Sequence, residues 1–174
     1  LDSVRGEFPS FEAVILEKAR YVDVTKCTGC GDCIAKCPSK VQSEFDAGLV
    51  KRKAIYIPFV QAVPKKMTID REHCIYLTKG KCGNCEKVCK AGAIDYKQKD
   101  SRVKVKASAI VLATGYDLFD VRSAPEFGYG AAANVITSLE FERMLNASGP
   151  TGGHIERPSD HKEPSTIAFI QCVC

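Results

Sequence analysis

A chain of 174 residues with a hydrophobic fraction of 45% and a formal net charge of +4 has the composition of a globular protein, with room for one domain or two small ones. No run of about 18 apolar residues occurs, so no membrane span is expected. The lysines, among them Lys51, Lys53, Lys65, Lys66, Lys104 and Lys106, are scattered without a recognition motif and read as solvated surface, so the charge balance does not point to nucleic acid.

From the N-terminus, residues 1–26 form a strand region. Phe11–Val24 is rich in Val, Ile, Phe and Tyr and predicts one or two strands leading into the first cysteine. Cys27–Pro38 then reads C-T-G-C-G-D-C-I-A-K-C-P, which is C-x2-C-x2-C-x3-C-P. That is the spacing of bacterial-type [4Fe–4S] loops, in which three cysteines hold one cluster and the fourth reaches a second. Three thiolates can converge only if the loop curls tightly, and Gly29, Gly31 and later Gly83 supply the backbone freedom for it. Ile34–Lys36 is expected as a short helical turn, with Pro38 redirecting the chain after it.

Residues 39–70 form a long insertion. Its middle, A-I-Y-I-P-F-V-Q-A-V-P, is apolar, and Pro58 and Pro64 rule out a helix or a central strand. It reads as a flap over its own module or as a docking surface. Cys74–Cys89 repeats the cysteine pattern as C-x7-C-x2-C-x3-C, with a second helical turn at Glu86–Val88 and Lys90 where a proline would mirror Pro38. Crossing the fourth ligands assigns Cys27, Cys30, Cys33 and Cys89 to one cluster. It assigns Cys74, Cys82, Cys85 and Cys37 to the other. Zinc is disfavoured because its closed sites use two C-x2-C pairs, and here triplets occur. A disulfide framework is disfavoured because no signal segment precedes the module. With two clusters, each about −2 including its thiolates, the loaded chain approaches neutrality. The ferredoxin-like module is expected to span residues 27–100.

Residues 101–174 read as a different unit. Arg102–Lys106 alternates charge with valine, as a half-buried strand does. Ser108–Ala113 is continuously apolar, predicts a buried strand, and ends in A-T-G at Ala113, Thr114 and Gly115, where a ligand can approach a sheet's carboxyl edge. Thr137–Ala147 predicts a helix opened by a Thr137–Glu140 capping box. Ser148–Ser165 is a polar, Pro- and Gly-containing loop, and Thr166–Val173 predicts another strand. His73 is not needed as a ligand, and His154 and His161 read as solvated. Glu140 and Glu142 lie on different helix faces, so acid–base catalysis is not suggested.

These motifs together resemble the A-subunit family of heterodisulfide reductase, which are iron–sulfur flavoproteins. The resemblance is carried by K-A-R-Y-V-D, both cysteine runs, K-R-K-A-I-Y-I-P-F-V-Q-A-V-P, V-L-A-T-G-Y-D, N-V-I-T-S-L-E-F-E-R-M-L-N-A-S-G-P-T-G-G and I-A-F-I-Q-C-V. It covers nearly the whole chain as an internal stretch of the family. It implies an α+β / α/β fold, a two-cluster ferredoxin-like module inserted in a partial thioredoxin-reductase-like flavin domain. It further implies two [4Fe–4S] clusters, FAD in the complete subunit with Ala113, Thr114 and Gly115 near the flavin, and a cytoplasmic oxidoreductase role. The implied partners are the other subunits of a heterodisulfide reductase complex, with hydrogenase, formate dehydrogenase or ferredoxin as further candidates. The family's G-x-G-x-x-G loop does not occur in the 174 residues, and Gly128–Ala133 is no substitute for it. Cys172 matches the first ligand of a further cluster without its co-ligands and reads as a buried thiol, while Cys174 has no assigned role. The alternatives are a self-standing ferredoxin-like carrier and a docking subunit with structural clusters.

Overall fold

A computed structural model describes residues 1–115 and 117–171. The elements in chain order are β1 (Ser3–Glu7), β2 (Ser10–Glu17), α1 (Asp32–Lys36), β3 (Val41–Gln42), β4 (Lys51–Arg52), β5 (Ile55–Tyr56), β6 (Thr68–Ile69), α2 (Ile75–Lys79), α3 (Asn84–Val88), β7 (Ser101–Ala107) and α4 (Ser138–Leu145). Two 3-10 turns, Val121–Ser123 and Pro125–Phe127, precede α4. The chain divides into two compact units, one of residues 1–41 and 52–114, the other of residues 42–51 with the described residues from 115 onward. β3 and β4 pair as a short two-stranded ladder.

In the first unit a three-stranded antiparallel sheet runs in the order β1-β2-β7. The register of β2 with β7 runs from Phe11↔Ala107 to Glu17↔Ser101, so these strands are the arms of one hairpin whose connection is residues 18–100. The neck is tied by the Ala19 N–H, which donates to Asp100 Oδ1 at 2.9 Å. All eight motif cysteines lie in that connection. β1 lies within the strand region expected for residues 1–26, though ahead of Phe11–Val24, where the strands were placed, because S-V-R-G-E carries no apolar alternation. β7 forms where Arg102–Lys106 predicted a strand, but six of its seven residues are exposed rather than half of them buried. Neither outer strand is buried: β1 and β7 are exposed at all but one residue each. Charged partners line the sheet, with Arg102 Nε 2.9 Å from Asp2 Oδ2 and Lys104 Nζ 3.3 Å from Glu12 Oε1.

The core of the cysteine-bearing connection is small. Tyr21, Val22, Ala54, Ile55, Met67, Ile69 and Ala93 pack with Cys27, Cys33 and Cys74. Backbone bonds join its segments: Ile69 N–H to Arg20 O at 2.9 Å, Asp70 N–H to Ala54 O at 2.7 Å, Asp23 N–H to Ala93 O at 2.7 Å, and Asp95 N–H to Tyr21 O at 3.0 Å. The insertion therefore serves as a flap over its module, with Ala54, Ile55, Met67 and Ile69 entering the core around the β5–β6 pair. Between them Val60 and Val63 are exposed, while Ala62 is buried.

In the second unit α4 begins as predicted. Thr137 Oγ1 accepts from the Glu140 N–H, and the Glu140 carboxylate accepts from the Thr137 N–H, completing the capping box. The buried Arg143 of α4 donates to Asp46 Oδ1 at 3.2 Å and lies 4.3 Å over the Phe45 ring.

Two predicted strands are not found. Ser108–Ala113 forms no ladder and is exposed, Val111 at 88% and Leu112 at 82%. Of Thr166–Val173, residues 166–171 form no ladder and are exposed, and 172–173 lie outside the described residues. A strand exists only through hydrogen-bonded neighbours. Among the described residues none joins either run in a ladder, so apolar composition alone does not make them strands; Phe169 instead sets its ring edge-on to Phe141 of α4, centroids 5.4 Å apart.

Candidate metal centres

The two cysteine runs fold alike. Each short helix follows a glycine in the left-handed region, Gly31 (φ 91°) before α1 and Gly83 (φ 76°) before α3. Each helix carries one cysteine in its first turn, Cys33 or Cys85, and ends on another in extended conformation, Cys37 or Cys89. The terminal cysteine closes its helix in both cases: Cys37 N–H donates to Ile34 O and Cys89 N–H to Glu86 O, both at 3.2 Å. Gly29 also has a left-handed backbone, and there a Cβ would lie 2.6 Å from Lys65 O, so only glycine lets the loop pass under the insertion. Cys82 sits at φ 98°, a conformation rare for an L-residue, at the start of the second curl. The stretched C-x7-C gap is filled by α2, a helix sequence reasoning missed, with Cys74 as its N-cap and Thr78 Oγ1 bonded to Cys74 O at 2.8 Å.

α1 and α3 pack together, and each delivers its terminal cysteine to the opposite loop. One cavity, of about 320 Å³, is lined by Cys27, Cys30, Cys33 and Cys89. A narrower one, of about 20 Å³, is lined by Cys37, Cys74, Cys82 and Cys85. The eight cysteines thus fall into two sets of four, the same sets that crossing the fourth ligands produces. All eight are free thiols, and each cavity has one exposed member, Cys30 or Cys82. Among the described residues no three His, Cys, Asp or Glu side chains converge as a single metal ion requires. A zinc ion would need four sulfurs about 2.3 Å from one point. A cubane spreads its thiolates wider, and four thiols around each apolar-walled cavity are the donor set it takes. The residues present fit such a group in the chemistry of the donor set, four thiols around each cavity.

Burial pushes the Cys33 thiol up to about 11 and raises Cys85 as well, although the Tyr96 hydroxyl beside Cys85 opposes the rise. Ligation must therefore displace protons from buried sulfurs. Several groups that brace the loops were not read from the sequence. Lys66 Nζ donates to Cys27 O, and Lys53 Nζ to Cys37 O at 2.7 Å, so one insertion lysine holds the carbonyl of a cysteine in each set. Asp70 shapes the approach to Cys74: its Oδ1 accepts from the Glu72 and His73 N–H groups at 3.0 and 3.2 Å. Its Oδ2 takes Arg52 Nη2 and His73 Nδ1, both at 2.9 Å. Burial alone would raise the Asp70 carboxyl, but the Arg52 and His73 hydrogen bonds outweigh it and hold it below its ordinary value. The D-x-x-H spacing at Asp70–His73 was the available signal for that turn. Ala93 N–H donates to Cys89 Sγ at 3.3 Å, and Tyr96 Oη lies 2.9 Å from Cys85 Sγ.

Other expected positions stand apart. Ala113, Thr114 and Gly115 are exposed beyond β7 and line neither cavity. His161 is exposed, beside Glu156 at 3.4 Å. Cys172 and Cys174 lie outside the described residues.

Residues 26–93 match the sequence family described as a 4Fe-4S dicluster domain. Over 98% of its length the chain is 55% identical to the iron-sulfur A-subunit of CoB–CoM heterodisulfide reductase from Methanocaldococcus jannaschii, covering 25% of that protein. It is 45% identical over 98% of its length to the A-subunit of the H2:CoB-CoM heterodisulfide,ferredoxin reductase of Methanothermobacter marburgensis, again covering 25%. It is 51% identical over 99% to the A-subunit of the H2/formate:CoB-CoM heterodisulfide,ferredoxin reductase of Methanococcus maripaludis, covering 26%. The chain thus spans about a quarter of the length of the curated relatives it matches. The resemblance carried by its motifs is borne out as similarity to an internal stretch of these proteins.

Proposed function

We propose that this stretch, similar to part of the heterodisulfide reductase A-subunit, relays single electrons through two [4Fe–4S] sites within an oxidoreductase acting on a heterodisulfide. The observation that carries the reading is the exchange of fourth cysteines, which lines each cavity with three thiols from one run and one from the other. Bound there, a [4Fe–4S] cluster accepts and gives up one electron at a time. The chain's own residues do the rest. Cys27, Cys30, Cys33 and Cys89 hold one site, and Cys37, Cys74, Cys82 and Cys85 hold the other. Val22, Met67, Ile55 and Ile69 keep water from the inner faces. The exposed Cys30 and Cys82 give each site a side that a partner can approach.

The wider reading rests on the motif resemblance, which implies the flavin, and on the relatives' names, which include heterodisulfide, ferredoxin, H2 and formate. In it, the cysteine module is inserted in a thioredoxin-reductase-like flavin domain, and the complete subunit carries FAD near Ala113, Thr114 and Gly115. The other subunits of a heterodisulfide reductase complex exchange electrons with it. Two observations support this. The module occupies the connection of a β-hairpin, as an insertion would, and β7 leads directly into an exposed apolar run ending at Gly115. The alternative of a self-standing carrier would leave that run uncovered. Among the described residues no helix is long and apolar enough to cross a membrane.

Anaerobic reconstitution with iron and sulfide tests the assignment. About eight iron per chain is expected from two cubanes. Four iron, or stoichiometric zinc, would reject it. Cys89→Ser should damage the site of Cys27, Cys30 and Cys33. Damage confined to the site of Cys82 and Cys85 would show that the fourth ligands are not exchanged.

A further inference from the structure

We propose that the Tyr96 hydroxyl sets the reduction potential of one of the two sites, by donating a hydrogen bond to the Cys85 sulfur, and so makes the two sites unequal. This rests on the reading that Cys37, Cys74, Cys82 and Cys85 hold a [4Fe–4S] cluster. Tyr96 Oη is 2.9 Å from Cys85 Sγ. Its ring is stacked on Tyr76 of α2, with centroids 3.9 Å apart and planes 20° from parallel, and both rings line the Cys85 cavity. The stack fixes the phenol, so the hydroxyl reaches the sulfur from a rigid mount. A ligating thiolate has no proton to give and a phenol does, so the donor is Tyr96.

The other cavity is built differently. Among the described residues no aromatic side chain lines it, and its sulfurs take backbone donors: the Ala93 N–H to Cys89 Sγ at 3.3 Å, and the N–H groups of Cys33 and Ile34 at the Cys33 sulfur. Its charged lining residues, Asp32 and Lys90, are of opposite sign and offset one another. The two loops repeat each other in backbone, yet among the described residues a side-chain hydroxyl bonded to a cysteine sulfur, with aromatic cover, is found at the second site and not at the first, where Thr28 is in the lining.

The sign follows from charge. When a site takes up one electron from a low-potential donor, its net charge including thiolates goes from about −2 to about −3. A donor to a ligand sulfur stabilises the more negative state more, so it raises the potential. Tyr96→Phe keeps the ring and the stack and removes only the hydroxyl. The experiment is a dithionite titration of the anaerobically loaded full chain, followed by electron paramagnetic resonance, in wild type and Tyr96→Phe. One of the two midpoints should fall, by up to about tenfold in the reduced-to-oxidised ratio at fixed potential, about 59 mV for a one-electron couple. The other midpoint should stay and serve as the internal reference. Unmoved midpoints, movement of both, or an upward shift would overturn the inference. If Tyr96→Phe fails to assemble, 3-fluorotyrosine at position 96, a more acidic phenol, should raise the same midpoint, and no shift there overturns it equally. Wild-type chain that assembles no cluster sinks the iron–sulfur reading and this inference together. Loaded clusters with unmoved midpoints sink this inference alone.

Discussion

Asp70 is the residue on which the approach to the second cysteine run turns. It joins a largely buried Arg52, an exposed His73 and two backbone N–H groups, each side chain at 2.9 Å. Its carboxyl is held below its ordinary value of 3.8, so the folded state binds fewer protons there than the unfolded state. The stabilisation is fully present above that value and is lost as pH falls through the lowered folded one. Asp70→Asn should cost about 1–3 kcal/mol by leaving a buried guanidinium short of its partner. It should also remove this share of the acid sensitivity, both readable from denaturant midpoints against pH. An unchanged pH profile would mean that the carboxylate braces nothing. At this scale the sequence was legible where chemistry follows spacing. The eight cysteines and the glycines at 29, 31 and 83 declare themselves within a few positions. Lys53, Lys66 and Tyr96 do not, because each acts on a cysteine 11 to 39 positions away.

Among the elements, α1, α3 and α4 were readable because their determinants are local. α4 carries its own start signal, and the cap is formed in full. Thr137→Ala should destabilise the helix by about 1 kcal/mol, while Thr137→Ser should be nearly neutral. Amide exchange at Ser138–Phe141 measures this, and equal protection in both variants would show that the cap contributes nothing. α2 was missed because the C-x7-C gap reads as a spacer, although Gly80 (φ 65°) marks its end. The strands divide on the same principle. β2 was found from its composition, but its partner β7 lies beyond residues 18–100, and no local pattern announces that pairing. The runs at 108–113 and 166–171 show the converse error. Their apolar composition resembles that of a buried strand, yet a strand is defined by hydrogen-bonded partners, and among the described residues neither run has a ladder partner.

For the whole molecule, the balance between core and cysteine chemistry decides what happens without iron. The fully buried large side chains are Ile55, Met67 and Val22, a small apolar interior for the eight thiols packed around it. Cluster binding should therefore supply folding free energy, as in other small metal domains. Chelated, cluster-free chain is expected to be cut by protease within 27–89, and loaded chain is expected to resist there. Identical digestion patterns would count against this. Flavin belongs to the same scale. Without a G-x-G-x-x-G loop the 174 residues lack the helix N-terminus that cradles a pyrophosphate, along with charge-assisted bonds worth about 1.5–3 kcal/mol each. Equilibrium dialysis with FAD should show no stoichiometric binding to these residues. Tight binding would mean that the flavin contacts lie elsewhere than Ala113–Gly115.

The neck between β2 and β7 also governs how the chain responds to a pull. Residues 11 and 107 are partners at one end of seven paired positions, and residues 17 and 101 at the other. Tension applied at residues 10 and 108 would pry the strands apart from the 11–107 end, breaking pairs in succession rather than shearing them together. Until the last pair at Glu17 and Ser101 yields, such tension does not reach residues 18 and 100 along the backbone. The hairpin is thus a mechanical fuse for the backbone that enters and leaves the cysteine-bearing connection.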